Sequence, residues 1–505
     1  MDTITVHILP NGISAECRPG TTVLEFLQEK NLSPDAPCGG KGLCGKCKVL
    51  LDGQEVLSCQ TVLEKNCTVT LPQQEKTDIL TTGISGNMEP DGKNRYVLAF
   101  DIGTTTVVCY LLDGMTGGLL ATDSMLNPQT AFGADVISRI QYVMETGSHR
   151  LKTEIHQGMG KLTLRVCEKG GIPAEDVTLA CVVGNTAMHH LFLGIDPTSL
   201  TVPPYMPQVY HEMEVPSLGI LPISPKGILR ILPNIAGFVG ADTVACLVAT
   251  GFDRREELTL MIDIGTNGEM VLGDKNRWIA CSTAAGPAFE GMKIHCGMRG
   301  AAGAIDHAKW ENGKLVCSVI GGGKAVGICG SGLLDVVRAL LEAGVITDTG
   351  RMDTEEGEPD CWTRVDGMDA YILQDGVVLT AKDVREVQLA KAAIRAGIEL
   401  LARRLGVRTD SISHVLLAGA FGNYLDPASA CAIGMIPPAL QSRIVPIGNA
   451  AGEGSKLCAV SRKAFAYAEH LAENAEFLEL ASLPEFQDCY VDQLTFDEGE
   501  ESDDD

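Results

Sequence analysis

Two textures of hydrophobic patterning divide the chain. Over residues 1–72 the apolar positions come in short runs. Thr3 to Leu9 alternates with a period of two and predicts a strand. Thr22 to Lys30 sets Val23, Leu24, Phe26 and Leu27 at helical spacing, and Lys48 to Leu51 predicts another strand before an Asp52-Gly53 turn. From Tyr96 onward, apolar strands that end in Asp and glycine alternate with Ala/Leu-rich helical stretches, an α/β pattern. Residues 73–95 between them are polar and turn-rich and read as a linker. The predicted organisation is a β-rich module at 1–72, the linker at 73–95, a first lobe at 96–252, a second at 253–480 and a C-terminal segment at 481–505 with an acidic end.

The lobes follow from a long-range repeat. Tyr96-Val-Leu-Ala-Phe-Asp101-Ile-Gly103-Thr104-Thr105-Thr106 is echoed by Leu258-Thr-Leu-Met-Ile-Asp263-Ile-Gly265-Thr266-Asn267-Gly268. Each copy is a buried strand, then Asp-Ile-Gly-Thr, then a further apolar strand, which predicts a hairpin. Its turn offers backbone N–H groups and hydroxyls to a phosphate: Gly103, Thr104, Thr105 and Thr106 in one copy, and Gly265, Thr266, Asn267 and Gly268 in the other. Asp101 and Asp263 then face each other across a cleft and hold Mg2+ through water, or else each caps its own turn. A third segment, His414-Val-Leu-Leu-Ala-Gly419-Ala-Phe-Gly422-Asn423, runs a buried strand into a glycine turn suited to adenosine. Asp242 opens an apolar helix and either positions an attacking water or caps that helix. Gly330 and Ser331 lie at a helix start, suited to a phosphate or ribose or else a plain helix entry. Gly452, within Gly448–Gly454, is expected to line a nucleotide pocket. His189 and His190 sit in an apolar helical run and read as core.

Charge and cysteine content sharpen the picture. The 505 residues carry 65 Asp plus Glu against 40 Lys plus Arg, a net charge of -25, which argues against nucleic acid and against an anionic membrane surface as partners. The first residues lack the basic and apolar regions of a secretory signal, and no apolar run is long enough to span a bilayer. The expected location is the cytoplasm, where thiols stay reduced. Of 18 cysteines, four form the spacing C-x5-C-x2-C-x11-C: Cys38, Cys44, Cys47 and Cys59. Three glycines between the first two let the backbone wrap a cluster, as four thiolates hold 2Fe–2S. Structural zinc is the alternative, but it favours two separate C-x2-C pairs.

The cysteine module resembles plant-type and related ferredoxin domains, with one residue more in the first gap. The repeated module resembles the acetate and sugar kinase, heat-shock chaperone and actin superfamily. The fold class implied is an α/β two-lobe duplicated ATPase fold, actin-like, preceded by a small α+β β-grasp ferredoxin domain. Their fusion, with Gly286-Pro-Ala-Phe-Glu-Gly291, Gly327-Ile-Cys-Gly-Ser-Gly332 and Gly184-Asn-Thr-Ala-Met-His189, resembles the reductive activators of corrinoid-dependent proteins. That resemblance implies ATP-coupled transfer of one electron from a 2Fe–2S cluster to the Co(II) form of a corrinoid methyl-transfer protein, regenerating Co(I). It further implies ATP and Mg2+ as cofactors, a low-potential electron donor and scope for a homodimer. Better-known members carry an extra domain before the ATPase lobes, whereas here the linker leads directly to Tyr96. The stretch Ala280–Pro287, rich in small residues, reads as a loop. It either approaches the flat macrocycle, with Ser282 or Thr283 offering an oxygen to cobalt, or folds onto the cleft. Two competing readings keep the same lobes. One is an activator of a radical dehydratase or reductase, which would bridge two subunits with one 4Fe–4S cluster. The other is a redox-regulated small-molecule kinase.

Overall fold

The structure, a computed structural model, describes residues 3–10, 12–30, 32, 34, 42, 47–71 and 89–496. Cys38 and Cys44, most of the linker and the acidic end lie outside the described residues. In the first module, β1 (Ile4–Leu9), β2 (Ile13–Cys17), β3 (Lys48–Leu51), β4 (Gln54–Leu57) and β5 (Cys67–Thr70) form a sheet in the order β2-β1-β5-β3-β4. Asp52 and Gly53, with φ of 49° and 85°, make the tight β3–β4 turn. Helix α1 (Val23–Glu29) starts at Thr22, whose hydroxyl and Glu25 cap each other's backbone reciprocally. Its Val23, Phe26 and Leu27 pack on Val6, Ile8, Val49 and Val69 of the sheet. This is the β-grasp arrangement that the ferredoxin resemblance implies.

The first lobe contains β6 (Tyr96–Ile102), β7 (Thr106–Asp113), β8 (Leu119–Leu126), α2 (Val136–Thr146), α3 (His149–Gly170), β9 (Val177–Gly184), α4 (Thr186–Leu193), β10 (Met213–Pro216), β11 (Ile228–Ile231) and α5 (Ala241–Thr250). Its sheet runs β10-β11-β9-β6-β7-β8, with β6, β7 and β8 antiparallel and β9 and β11 parallel to β6. The second lobe opens with β12 (Thr259–Ile264), β13 (Gly268–Gly273) and β14 (Trp278–Thr283). Two small sheets follow, separated by α6 (Gly330–Glu342): β15 (Ala304–Glu311), β16 (Lys314–Val319) and β17 (Gly327–Ile328), then β18 (Trp362–Val365), β19 (Met368–Gln374) and β20 (Val377–Thr380). The lobe continues with α7 (Ala381–Leu405), β21 (His414–Ala418), α8 (Gly419–Tyr424), α9 (Pro427–Ala432), β22 (Ile444–Gly448), α10 (Ala450–Val460), α11 (Arg462–Asn474) and β23 (Glu476–Phe477). Its main sheet is β22-β21-β12-β13-β14-β23, again three antiparallel strands with two parallel ones beside the first. The duplication is therefore element for element: β6 matches β12, β9 matches β21, β11 matches β22, and α5 matches α10.

The matched helices join the lobes. Glycine 454 of α10 lies so close to α5 that a Cβ there would meet the Ala245 carbonyl oxygen at 1.9 Å. Around this contact one apolar core takes Val97, Ala99 and Val108 from the first sheet, Met261, Val271 and Ala280 from the second, and most of α5, α10 and α11. The described end of the linker is fastened here too, since Asp91 donates its N–H to the Val460 carbonyl and accepts from Arg462 N–H.

Beyond residue 480, α12 (Pro484–Asp492) packs on α7, and Cys489 and Phe496 join the second lobe's core. The ferredoxin module rests on the first lobe through α1. There Gln28 Nε2 donates to the Ala131 carbonyl at 2.8 Å, and Arg150 Nη2 donates to the Gln28 carbonyl at 3.3 Å. Among the described residues, no helix is long and apolar enough to cross a membrane.

One predicted element is corrected. Ala280 to Thr283 is not loop but the end of β14, in register with Gly268 to Val271 of β13. The strand is covered on both faces, by α7 on one side and by the α5–α11 core on the other. It therefore lacks the polar alternation that marks an exposed strand, and its small side chains answer to close packing rather than to a turn. Only residues 284–286 are loop before the next turn of helix.

Candidate functional site

Two sites are built by these elements. In the first module, Cys47 ends the cluster loop just before β3, and Cys59 follows β4. Their thiols are buried and meet at 3.3 Å. Burial pushes the Cys59 thiol up, while hydrogen bonds from the Gln60 side chain and the Gly42 backbone favour its thiolate. Two thiolates on one tetrahedral metal ion stand roughly 3.8 Å apart, so this pair fits adjacent ligands of a single iron, and the donated hydrogen bonds fit the charge of a bound cluster.

The second site is the cleft between the lobes. Asp101 and Asp263 end the matched strands β6 and β12. Asp242 lies in the first turn of α5, and Glu269 opposite Asp263 on β13. Each aspartate keeps some surface open to the cleft. Each is nonetheless deep enough for loss of solvation to raise its pKa, Asp101 to about 6 and Asp242 and Asp263 to about 7. Burial is the main cause at all three, and the neighbouring carboxylates add to it at Asp242 and Asp263. Glu269 is raised strongly for the same reason. Among the described residues none of these four carboxylates forms an ion pair with Lys or Arg. Buried carboxylates without a cation fit a divalent metal carried in with a ligand. Asp242 is not the N-cap residue of its helix, which is Gly240, but its Oδ1 accepts from the first-turn Thr243 N–H at 2.7 Å.

The loops above the aspartates are organised in pairs. In the first, Gly103 N–H bonds to the Thr106 carbonyl at 2.8 Å, and Thr106 begins β7. Thr104 Oγ1 accepts from Asn185 Nδ2 at 2.9 Å, and Asn185 is the N-cap of α4. The buried Arg139 guanidinium props this loop from below, donating to the carbonyls of Gly133 and Thr104. In the second loop, Gly265 N–H bonds to the Asn267 carbonyl at 2.9 Å. Asn267 hydrogen-bonds Glu269, and Gly268 begins β13 beneath Thr283. Thr105 and Thr266 both donate to Glu290 at 2.7 Å. Glycine 419 starts α8 with a φ of +85°, and a Cβ there would lie 2.7 Å from Asp263 Oδ1, so only glycine fits beside that carboxylate. Gly422 and Asn423 follow within the same short helix.

Other predicted residues lie against groups of the protein itself. Glycine 452 abuts the Tyr110 hydroxyl, 2.4 Å from where a Cβ would stand, and its N–H bonds to Asn449 Oδ1. Gly330 fits against the Phe289 carbonyl, and Ser331 Oγ donates to the Asp306 carbonyl at 3.1 Å. Ser282 Oγ lies 3.4 Å from Glu269 Oε1, at the edge of the carboxylate group, and Thr283 is buried with its hydroxyl toward the Gly268 carbonyl. His189 and His190 are buried, and loss of solvation lowers both, His189 to about 4.

Three side chains here were outside the predicted site set: Glu269, Glu290 and Arg139. Glu290 stands within Gly286–Gly291 and Glu269 directly after the second repeat's Gly268, and a lone acid among apolar or glycine neighbours is the signal they carried. Arg139 carried none, because its partners are backbone carbonyls. Asn449, inside the predicted Gly448–Gly454 stretch, donates to Asp101 Oδ2 at 2.9 Å and caps α10.

The modules that carry these sites match known proteins. The 2Fe-2S iron-sulfur cluster binding domain model matches residues 6–68, the RACo middle region matches 96–255, and the C-terminal domain of RACo, the ASKHA domain, matches 257–503. The chain is 37% identical over 428 residues to the corrinoid activation enzyme RamQ of Eubacterium limosum, covering 79% of this chain and 70% of that protein. It is 26% identical to the Co(II) methylated amine-specific corrinoid protein reductase of Methanosarcina barkeri, covering 79% of this chain and 77% of that protein. The solved reductive activator for corrinoid, iron-sulfur protein superposes with a TM-score of 0.75 at 28% identity, over 97% of this chain and 98% of its own. A ferredoxin module with paired buried thiols, a duplicated two-lobe ATPase fold and these relatives lead to one assignment: the chain belongs to the family of reductive activators of corrinoid proteins.

Proposed function

We propose that this chain reduces the Co(II) form of a corrinoid methyl-transfer protein to Co(I), passing single electrons from its own 2Fe–2S cluster in a process driven by ATP with Mg2+. The observation that supports this most is the convergence of Asp101, Asp242, Asp263 and Glu269, raised by burial and without a cation, on the floor of a cleft between duplicated phosphate-type hairpins. When bound, the cluster supplies one-electron chemistry and the nucleotide supplies the driving force. A plant-type cluster works near about −400 mV, and each further ~59 mV costs about 1.4 kcal/mol for one electron. A low-potential cobalt therefore needs either a change of its ligands or a coupled energy source.

The chain's residues divide this labour. Cys47 and Cys59, with Cys38 and Cys44, hold the cluster in a module of its own. Asp101 and Asp263 orient the metal of the nucleotide. Thr104, Thr105, Thr266 and Asn267 present N–H groups and hydroxyls to its phosphates, on turns that the Gly103 and Gly265 N–H bonds hold closed, and the Gly419 turn receives the adenosine. Asp242, aimed among the other carboxylates, holds the attacking water. With a pKa raised to about 7, it accepts that water's proton near neutral pH. Ser282, beside Glu269, marks the face of the carboxylate group from which a cobalt ligand would be offered.

Anaerobic mixing with a Co(II) corrinoid protein, a reductant and ATP tests the reading. Appearance of the Co(I) absorption band that requires both reductant and ATP supports it. A Co(I) yield unchanged by omitting ATP contradicts it.

A further inference from the structure

Glu290 ties the two phosphate-type loops together. Its Oε2 accepts from Thr105 of the first lobe and its Oε1 from Thr266 of the second, both at 2.7 Å. The residue is held there by construction. It ends the single helical turn Pro287–Glu290. Phe289 beside it is buried and stacks on Phe421, with ring centroids 4.8 Å apart and planes 2° from parallel. Gly291 follows at a φ of +74°, and a Cβ there would lie 2.5 Å from the Met298 carbonyl oxygen, so the turn closes only with glycine. The buried Arg139, which props the Thr104 carbonyl, also attracts the Glu290 carboxylate.

A hydroxyl has one proton to give. While Thr105 and Thr266 donate to Glu290, neither can donate to a phosphate, and the carboxylate repels one. We infer that Glu290 is a clasp. In the nucleotide-free protein its carboxylate stands where a nucleotide phosphate binds, holds the Thr105 loop to the Thr266 loop, and is displaced when nucleotide enters. Entry is then a competition whose balance Glu290 sets, and it releases one lobe's loop from the other's. The inference takes its ligand from the nucleotide reading of the cleft.

The test compares wild type with Glu290→Gln and Glu290→Ala in the full, cluster-loaded protein. Mg-ADP affinity is measured by calorimetry. Amide hydrogen exchange over residues 103–106 and 265–268 is followed without nucleotide, and circular dichroism checks folding. The clasp predicts that both variants bind Mg-ADP roughly tenfold more tightly, the weight of one hydrogen bond to a charged acceptor, and that both loops exchange faster. Equal or weaker affinity in both folded variants overturns it, since a structural or metal-holding role would weaken binding. If wild type takes up no Mg-ADP, the nucleotide reading fails by itself. The exchange comparison then decides the clasp, with faster exchange supporting it and unchanged exchange overturning it.

Discussion

Thr105 donates its hydroxyl proton to Glu290 across 2.7 Å, although the two residues are 185 positions apart in the chain. The contact joins the first lobe's loop to a turn of the second, and it lies at the cleft where Asp101 and Asp263 converge. A two-lobe machine needs such a place, where a ligand changes what one lobe feels of the other. Several measurements follow from the groups gathered there.

Stability should depend on pH in a sense set by the buried aspartates. Asp101, Asp242 and Asp263 have folded-state values of about 6, 7 and 7, above their ordinary 3.8. The folded form binds these protons more tightly than the unfolded form does. Stability without metal is therefore fullest at the acid end of this window and is lost as pH rises from about 4 through about 7. Calorimetric melting without Mg2+ should show a falling melting temperature over that window. Millimolar Mg2+ with nucleotide should restore most at pH 8, where the cation replaces the lost protons.

Asn449 links two of these effects. Its side chain donates to Asp101 Oδ2 and accepts from Gly452 N–H at the start of α10. The bond to Asp101 lowers that carboxyl against the effect of burial. Asn449→Ala should cost about 1 kcal/mol of stability through the lost cap. It should also move the pH midpoint of Mg-nucleotide binding upward, because Asp101 then holds its proton to higher pH. Thermal melting measures the first, and calorimetric binding across pH 5 to 8 the second.

Gly419→Ala should damage the cleft beside Asp263. A left-handed residue with a Cβ costs roughly 1–2 kcal/mol, and here the Cβ would also press on Asp263 Oδ1 at 2.7 Å. The expected outcome is a melting temperature lower by a few degrees and nucleotide affinity weaker by roughly tenfold or more, read by thermal melting and calorimetry.

The two sites should fail separately. Cys59→Ser removes one of four thiolates and should abolish or destabilise the 2Fe–2S spectrum while nucleotide affinity stays within a factor of two or so. Asp263→Ala should keep the full iron–sulfur spectrum and accept an electron from a strong reductant, yet lose nucleotide-dependent turnover. Iron content and visible spectra of both proteins, with calorimetric titration, check the pair.

What the sequence conveyed and what it did not have physical reasons. Asp101 and Asp263 were legible because strand, carboxylate, glycine and hydroxyl all lie within eleven consecutive residues, and the repeat announces itself. Cys47 and Cys59 were legible from spacing alone. Glu290 and Arg139 act through partners far along the chain, and local pattern has no access to such convergence. Ala280 to Thr283 looked like a loop because small residues serve a doubly covered strand as well as a turn; here α7 comes so near that a Cβ on Gly397 would meet Thr283 Cγ2 at 3.0 Å. The glycines at 330, 452 and 454 carried an ambiguity of the same kind, since close helix approach and ligand approach both demand a missing side chain. Nor does any local signal place α10 between the two sheets, where it shares one core with α5.

The central claim is that electrons leave this chain's own cluster for cobalt only when nucleotide acts in the cleft. A single-turnover experiment addresses it. The protein is reduced by one electron per cluster, freed of reductant and mixed anaerobically with a Co(II) corrinoid protein, with and without Mg-ATP, while cluster and cobalt absorption are followed together. The account predicts one cluster oxidised for each Co(I) formed, with Mg-ATP only. Co(I) formed without Mg-ATP, or formed while the cluster stays reduced, would contradict it.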